Sequence, residues 1–182
     1  MKRLVPLLAV ALLAACGGGS KPQPAGTTAP AGPDPAAAME ALIGLQPKLE
    51  GLVRTDFQGS SWAVVQSSAG TKANAVAFEL VRGKWQADQT GKVKITILGP
   101  QPGSHADALP QVAIGITAPE AFVESGLWVD GRELLEKGGG SATKGTIYGA
   151  PATRLAPGRH VAVGYARTAT SGTAIAWVFS TG

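Results

Sequence analysis

Alternating hydrophobic and polar positions run through the second half of the chain. From residue 92 to 182, apolar side chains recur at every second position in short stretches, and Gly and Pro residues separate these stretches. A period of two with frequent turns favours a β-sandwich or barrel. An Asp130-Gly131 pair predicts a tight hairpin turn. The predicted strands include 93–98, 111–118, 127–129, 161–165 and 175–179.

Residues 36–91 carry two different patterns. Asp34 and Pro35 form a helix-start signal, and the apolar residues after them recur at near-helical spacing, which predicts a helix kinked at Pro47. These apolar residues are Met39, Leu42, Ile43, Leu49, Leu52 and Val53. A helix packed on a three-stranded antiparallel meander would make a small α+β domain. The three strands are predicted at 62–67, 75–82 and 85–88.

The N-terminus has the pattern of a secretory signal. Lys2 and Arg3 precede about ten apolar residues that end at Leu13. This run is shorter than the roughly 20 residues that a transmembrane helix needs. We therefore predict a signal peptide over 1–15.

The segment Leu13-Ala14-Ala15-Cys16-Gly17 resembles the lipobox of bacterial lipoproteins. The resemblance implies that a diacylglyceryl group joins the Cys16 sulfur and that the freed amine takes a further acyl chain, such as palmitate. Two chains give stable attachment to a membrane. Cys16 is the only cysteine, so it cannot form an intramolecular disulfide. The implied location is the outer side of the cell membrane, at the cell surface or in the periplasm.

Residues 16–35 are rich in Gly, Pro and Ala and contain almost no larger apolar side chain. Such a segment cannot bury enough surface to offset its ordering entropy, so we predict a flexible tether. The expected organisation is a signal peptide over 1–15, a lipidated cysteine and tether over 16–35, and two folded parts over 36–91 and 92–182.

Residues 155–163 and 176–179 resemble the C-terminal hairpin of bacterial immunoglobulin-like domains. In those domains a Leu-x-Pro-Gly corner leads into a strand, and a Trp-x-Phe strand closes the sheet. Residues 126–131 are similar to their middle hairpin. The resemblance implies an Ig-like antiparallel β-sandwich over 92–182. Residues 78–85 resemble the last hairpin of cystatin-like and transport-factor-like α+β domains. The expected fold class is therefore mainly β, with a small α+β part before the sandwich.

The charge pattern argues against nucleic acid as a partner. The whole chain has a formal charge of +4 from 16 basic and 12 acidic residues. Removal of 1–15 takes away Lys2 and Arg3, which leaves 14 basic and 12 acidic residues, or +2. The remaining basic residues are scattered singly, without the basic run that a phosphate backbone would need.

The chain offers little metal-binding or cofactor-binding chemistry. His105 lies in the polar segment 103–107, but catalytic triads converge from separate elements, so we interpret it as a loop residue. His160 stands at the corner where Ig-like folds place a structural Tyr, and we predict a structural role for it. Residues 100–103 also resemble the periplasmic copper-resistance family, but the late histidine motif of that family is replaced here by Thr170-Ser171-Gly172. We expect no metal and no cofactor.

Catalysis is not expected, because the nucleophile-elbow, zinc-protease and phosphate-loop motifs are missing from the sequence. Glu133 and Glu136 are predicted to lie on a solvated hairpin. Three strand tryptophans are the candidate ligand contacts, since an exposed ring could stack on a sugar. They are Trp62, Trp85 and Trp128.

Two hypotheses about function follow. The first is a non-catalytic, membrane-anchored interaction or accessory module whose partner is a protein or a cell-wall polymer, with 138–144 as the longest flexible loop. The alternative is a lipoprotein that binds a small ligand or a glycan. An exposed aromatic ledge or a deep apolar cleft would favour the alternative, and buried tryptophans would count against it.

Overall fold

The computed structural model describes residues 37, 49–57, 60–88 and 90–182 of the 182-residue chain, with backbone alone for 49–57 and 60. The predicted signal peptide, Cys16 and the tether lie outside the described residues. The described part is mainly β, as expected, and forms three sheets. No helix within it is long and apolar enough to cross a membrane.

Thirteen strands make up the three sheets of the described part. In chain order they are β1 Leu49–Phe57, β2 Ser60–Ala69, β3 Lys72–Val81, β4 Lys84–Ala87, β5 Lys94–Gly99, β6 His105–Ala106, β7 Val112–Thr117, β8 Phe122–Val129, β9 Arg132–Glu133, β10 Lys137–Gly140, β11 Lys144–Gly149, β12 Gly158–Thr168 and β13 Gly172–Thr181. We call β1-β2-β3-β4 the meander sheet, β6-β13-β12-β8-β9 the central sheet and β10-β11-β7-β5 the outer sheet.

The meander sheet contains the three strands predicted after the helix and one more. Strand β1 pairs antiparallel with β2, with Val53 opposite Val64. The predicted helix therefore does not extend over 49–53, and 38–48 lie outside the described residues. A short apolar run fits a helical or a strand period equally well. The edge of β2 offers backbone hydrogen-bond partners to 49–57. This pairing favours the strand over the helix, since a buried backbone group without a hydrogen-bond partner is costly.

The hairpin predicted at Asp130-Gly131 is present. Asp130 and Gly131 have φ values of 49° and 75°, which is the left-handed pair that a tight β8–β9 turn requires. The prediction of a flexible loop over 138–144 is wrong in part, because 137–140 form strand β10 and pair with β11. Glycine carries no strand signal, so the pairing with β11 was not visible in the sequence.

The central sheet lies between the other two sheets. One of its faces packs on the outer sheet through Leu127, Ala162, Trp177 and Phe179, which meet Val112, Ile114 and Ile116 of β7. Its other face packs on the meander sheet. The residues of that second core are Trp62, Val64, Ala75, Ala77, Trp128, Val163, Tyr165 and Ala174.

The two predicted folded parts thus share a hydrophobic core in this structure. Residues 61–88 contribute one side of it and 122–177 the other. Alanines on β3 leave room for the rings of Trp128 and Tyr165, whose centroids are 6.5 Å apart. The opposite face of the meander sheet is also buried, at Ala63, Val65, Phe78 and Trp85. Close packing of the face that carries Trp62 and Val64 binds the meander sheet to the central sheet.

Candidate functional site

The three candidate tryptophans are buried. The side chains of Trp62, Trp85 and Trp128 expose 1%, 8% and 5% of their surface. Trp62 lies below the guanidinium of Arg167, whose central carbon is 5.7 Å from the ring centroid. An aromatic ledge for a sugar needs an exposed ring, and none of these three rings supplies one.

His160 joins a strand to its preceding loop, as the corner position predicts. Its Nε2 lies 2.8 Å from the Ala156 carbonyl oxygen and 3.1 Å from Thr181 Oγ1. Its Nδ1 lies 2.7 Å from Asp130 Oδ2, and Asp130 Oδ1 accepts a hydrogen bond from the Val161 amide at 2.9 Å. The side chain is buried, so these contacts orient the β8–β9 turn against β12.

The Ser104-His105-Asp107 segment lines an open depression of about 420 Å³. His105 Nδ1 lies 3.3 Å from Ser180 Oγ, and the Ser104 carbonyl accepts a hydrogen bond from the Ser180 amide at 2.9 Å. These contacts attach the segment to β13. His105 and Ala106 also pair in parallel with Ser180 and Thr181 as strand β6, so the prediction that His105 is a loop residue is wrong, because the edge of β13 supplies its backbone partners.

Glu133 and Glu136 line another open depression, of about 430 Å³, with Ser125, Leu134 and Leu135. Burial raises the pKa of Glu136, and the nearby Glu133 carboxylate adds to this, while hydrogen bonds from the Leu127 backbone and Ser125 oppose it. Glu133 itself is exposed. The two carboxylates therefore differ in environment, and the depression is open to solvent on one side of the hairpin.

A set of charged and polar groups lies where the meander sheet meets the central sheet. The buried Arg167 donates from Nε to Glu124 Oε2 at 2.7 Å. Asp88 accepts hydrogen bonds from Ser171 Oγ at 2.7 Å and from the Gly172 amide at 2.6 Å. Burial raises the pKa of Asp88, but its hydrogen bonds outweigh burial and hold the pKa below the ordinary 3.8. These groups join two sheets, and we assign them a structural role.

The exposed side of the outer sheet is a different kind of surface, and we call it the outer face. Ile95, Ile114 and Ile147 point into the core, so by alternation their neighbours in sequence point outward. The residues of the outer face are Lys94, Thr96 and Leu98 on β5, Ala113, Gly115 and Thr117 on β7, Lys144, Thr146 and Tyr148 on β11, and Lys137 and Gly139 on β10.

The outer face is basic and carries few large side chains. Ala113 and Gly115 lie on the inner strand β7, Gly139 lies on the edge strand β10, and a Leu98 methyl lies 3.7 Å from where a Cβ on Gly115 would be. Lys94, Lys137 and Lys144 are exposed, and the four strands of the outer sheet contain no Asp or Glu. Sequence reasoning missed this site because the lysines come from three separate strands and meet only through sheet register.

Lys94 and Lys137 lie on the two edge strands of the outer face, and Lys144 lies at one end of the inner strand β11. Lys94 and Lys144 both pair with Thr117, so their Cα atoms are about 10 Å apart. Lys137 pairs with Tyr148, which is four residues along β11 from Lys144, or about 13 Å. Thr96, Thr117 and Thr146 place hydroxyl groups between them. Positive charge therefore borders a floor of small residues and hydroxyl groups.

Comparisons with known proteins add no family. No protein-family model matches the chain, and no curated protein matches it. In the part of the chain that the structure describes, no group of three or more His, Cys, Asp or Glu residues is arranged to hold a metal ion.

Proposed function

We propose that this protein is a lipoprotein, anchored through Cys16 outside the cytoplasm, that presents a non-catalytic interaction module on a tether. The sequence features of 1–35 support the anchor. The observation that carries the module is the outer face, which is the exposed sheet face of the described part. Both faces of the central sheet and the Ala63–Trp85 side of the meander sheet are buried.

We propose further that residues 92–182 are an Ig-like sandwich. The central and outer sheets, which are antiparallel except for the short parallel pair of β6 with β13, face each other across a shared core and support this assignment. The bonds from His160 to Ala156 and Thr181 also support it, because they tie a corner back to the preceding loop, as the Tyr of Ig-like folds does. Fold likeness by itself does not identify a partner, so the function rests on the outer face.

The alternative, a small-ligand or glycan-binding lipoprotein, keeps one observation in its favour. Tyr148 is 36% exposed and lies on the outer face beside Ala113. Because Trp62, Trp85 and Trp128 are buried, they count against a sugar contact through tryptophan. A sugar contact would therefore have to use Tyr148.

The anchor is tested by metabolic labelling of cells with an alkyne-bearing fatty acid. We expect label on the full-length protein and none on Cys16→Ala, with the wild type in the membrane fraction and the variant released from it. Equal soluble secretion of both forms would contradict the lipoprotein assignment.

The interaction module is tested by in-cell crosslinking, affinity purification and mass spectrometry, with Cys16→Ala as the control. We expect a specific partner that is lost or redistributed in Cys16→Ala. A wild-type protein at the membrane with no crosslinked protein would direct the search to cell-wall polymers.

A further inference from the structure

The charge of the outer face indicates which chemistry it recognises. Lys94, Lys137 and Lys144 are exposed, and no carboxylate lies on the same four strands. Two acidic residues lie just outside these strands in sequence. Glu136, directly before β10, accepts a hydrogen bond from Ser125 of the central sheet, and Glu120, beyond β7, accepts hydrogen bonds from Thr168 and Thr170 of the same sheet region. Positive charge without local compensation attracts an anionic partner.

The shape of the outer face indicates an extended partner. A four-stranded sheet spans about 14 Å across its strands, and Ala113 and Gly115 give the inner strand β7 small outward side chains. A chain can lie across this floor with its anionic groups over the lysines at the borders. Thr96, Thr117 and Thr146 offer hydroxyl groups to a hydroxylated chain, and Tyr148 offers part of a ring.

The apolar content of the outer face argues against a membrane surface as the occupant. Leu98 and Tyr148 are its large apolar side chains, at 49% and 36% exposure. Insertion into a lipid interface relies on a broad buried apolar area together with basic residues. Here neutral hydroxyl groups and glycine occupy the middle instead, which suits a hydrated polymer.

We infer that the outer face binds an anionic polysaccharide, one that carries carboxylate or phosphate groups along a hydroxylated chain. The inference rests on the proposed function and names the partner class of the interaction module. Lys94 and Lys144 bind anionic groups at one border, and Lys137 binds at the other. Thr146 and Tyr148 contact the sugar rings between these borders.

The test uses the purified full-length protein in detergent and two probes of matched length, polygalacturonate and neutral dextran. The variant is Lys94→Gln/Lys137→Gln/Lys144→Gln. The matched control is Lys72→Gln/Lys84→Gln/Arg132→Gln, which removes the same charge from exposed positions outside the outer face. We expect wild type and control to bind polygalacturonate and not dextran, with affinity falling as salt rises. The outer-face variant should bind roughly ten- to a hundredfold more weakly.

Three results would overturn the inference. Equal loss in both triple variants would show attraction to net charge alone. Binding to phosphatidylglycerol vesicles but not to polygalacturonate would assign the outer face to a membrane. Absence of polygalacturonate binding by the wild type would refute polysaccharide binding.

Ala113→Glu is a further variant, because it adds a negative charge to the inner strand β7 of the outer face. It should weaken polygalacturonate binding, and unchanged binding would contradict the proposed path of the polymer.

Failure of polysaccharide binding can be distinguished from failure of the proposed lipid-anchored module. The outer-face variant should still carry the fatty-acid label and remain in the membrane fraction, because Cys16 is unchanged. Suppose that the protein carries the label, stays at the membrane, crosslinks to a protein partner and binds no polygalacturonate. This result would refute polysaccharide binding and would still support a tethered interaction module.

Discussion

At the scale of single residues, tight packing in the second core depends on glycines that face large rings. A Cβ on Gly126 would lie 1.9 Å from Trp128 Cη2, and one on Gly172 would lie 2.5 Å from Trp62 Cζ3. Trp62 and Trp128 are buried because these glycines leave space for them. The sequence shows the glycines and the tryptophans but not that they meet.

We predict that Gly126→Ala lowers the free energy of unfolding by about 1–3 kcal/mol, because the methyl group displaces the ring of Trp128. Chemical denaturation with tryptophan fluorescence measures this change. Gly139→Ala is the control, since a Cβ there meets nothing within 4 Å, and it should change stability by less than about 0.5 kcal/mol. An equal cost for both would contradict close packing of the Trp128 ring against Gly126.

Asp88 makes the stability depend on pH. Its folded-state pKa lies below the ordinary 3.8, as burial is outweighed by hydrogen bonds from Ser171, Thr90 and Gly172. A lowered folded-state pKa contributes stability that is complete above the unfolded-state pKa and is lost as pH falls through the folded-state value. The contribution of Asp88 is therefore present at neutral pH and fades in strong acid.

We predict that Asp88→Asn costs about 1–2 kcal/mol at neutral pH, discounted for partial exposure of the carboxylate. The difference from the wild type should shrink as pH falls below about 4. Urea denaturation over a pH series measures it, and Asp107→Asn in an exposed loop is the control. A difference that stays constant into acid would contradict the assigned ionic role.

At the scale of elements, β1 is where local pattern and tertiary pairing disagree. Residues 49–53 fit the helical stripe predicted over 39–53, yet the chain runs as a strand from Leu49 to Phe57. Gly51 and Thr55 are weaker helix formers than Leu or Ala. Pairing along β2 supplies backbone hydrogen bonds that a helix there would have to make internally.

We predict strand-type Cα chemical shifts over 49–57 and cross-strand nuclear Overhauser effects between Val53 and Val64. The pairing of Val64 with Ala77, on the other side of β2, is the internal control. Helix-type shifts at 49–53 together with normal contacts between Val64 and Ala77 would contradict β1 while leaving the rest of the meander sheet in place.

At the scale of the whole molecule, the shared core implies that the described sheets unfold together. The central sheet buries Val163 and Tyr165 against the meander sheet, and Leu127 and Phe179 against the outer sheet. A sheet buried on both faces loses both cores when it opens. Arg159 adds a polar link, donating from Nε to the Gly70 carbonyl at 2.7 Å and from its guanidinium to Ser68.

We predict one calorimetric unfolding transition. Val64→Ala, on one side of the central sheet, and Ile114→Ala, on the other, should each lower its midpoint temperature. Each substitution should reduce the free energy of unfolding by about 2–4 kcal/mol, since both side chains are buried. Hydrogen exchange should report the same loss of protection in β3 and β7 for either variant. Two transitions, each shifted by one substitution alone, would show that 36–91 and 92–182 unfold independently.

Local sequence patterns suffice to predict the mainly β fold class, most strands and the Asp130-Gly131 turn. These features depend on residues within a few positions of one another: alternation selects a strand, and Asp-Gly accepts the left-handed φ pair. His160 belongs with them, because its Ala156 partner is four residues away in the same corner. The lipidation of Cys16 and the tether remain predictions from the sequence.

The tertiary structure alone decided which strand faces are buried and which are open. Alternation places Trp62 and Trp128 on one face of each strand, but only the stacking of the meander sheet on the central sheet makes that face a core. Glycine-rich β10 became a strand through pairing with β11. Lys94, Lys137 and Lys144 share one surface because three strands, distant along the chain, align in register, and register is set by long-range pairing that no local pattern encodes.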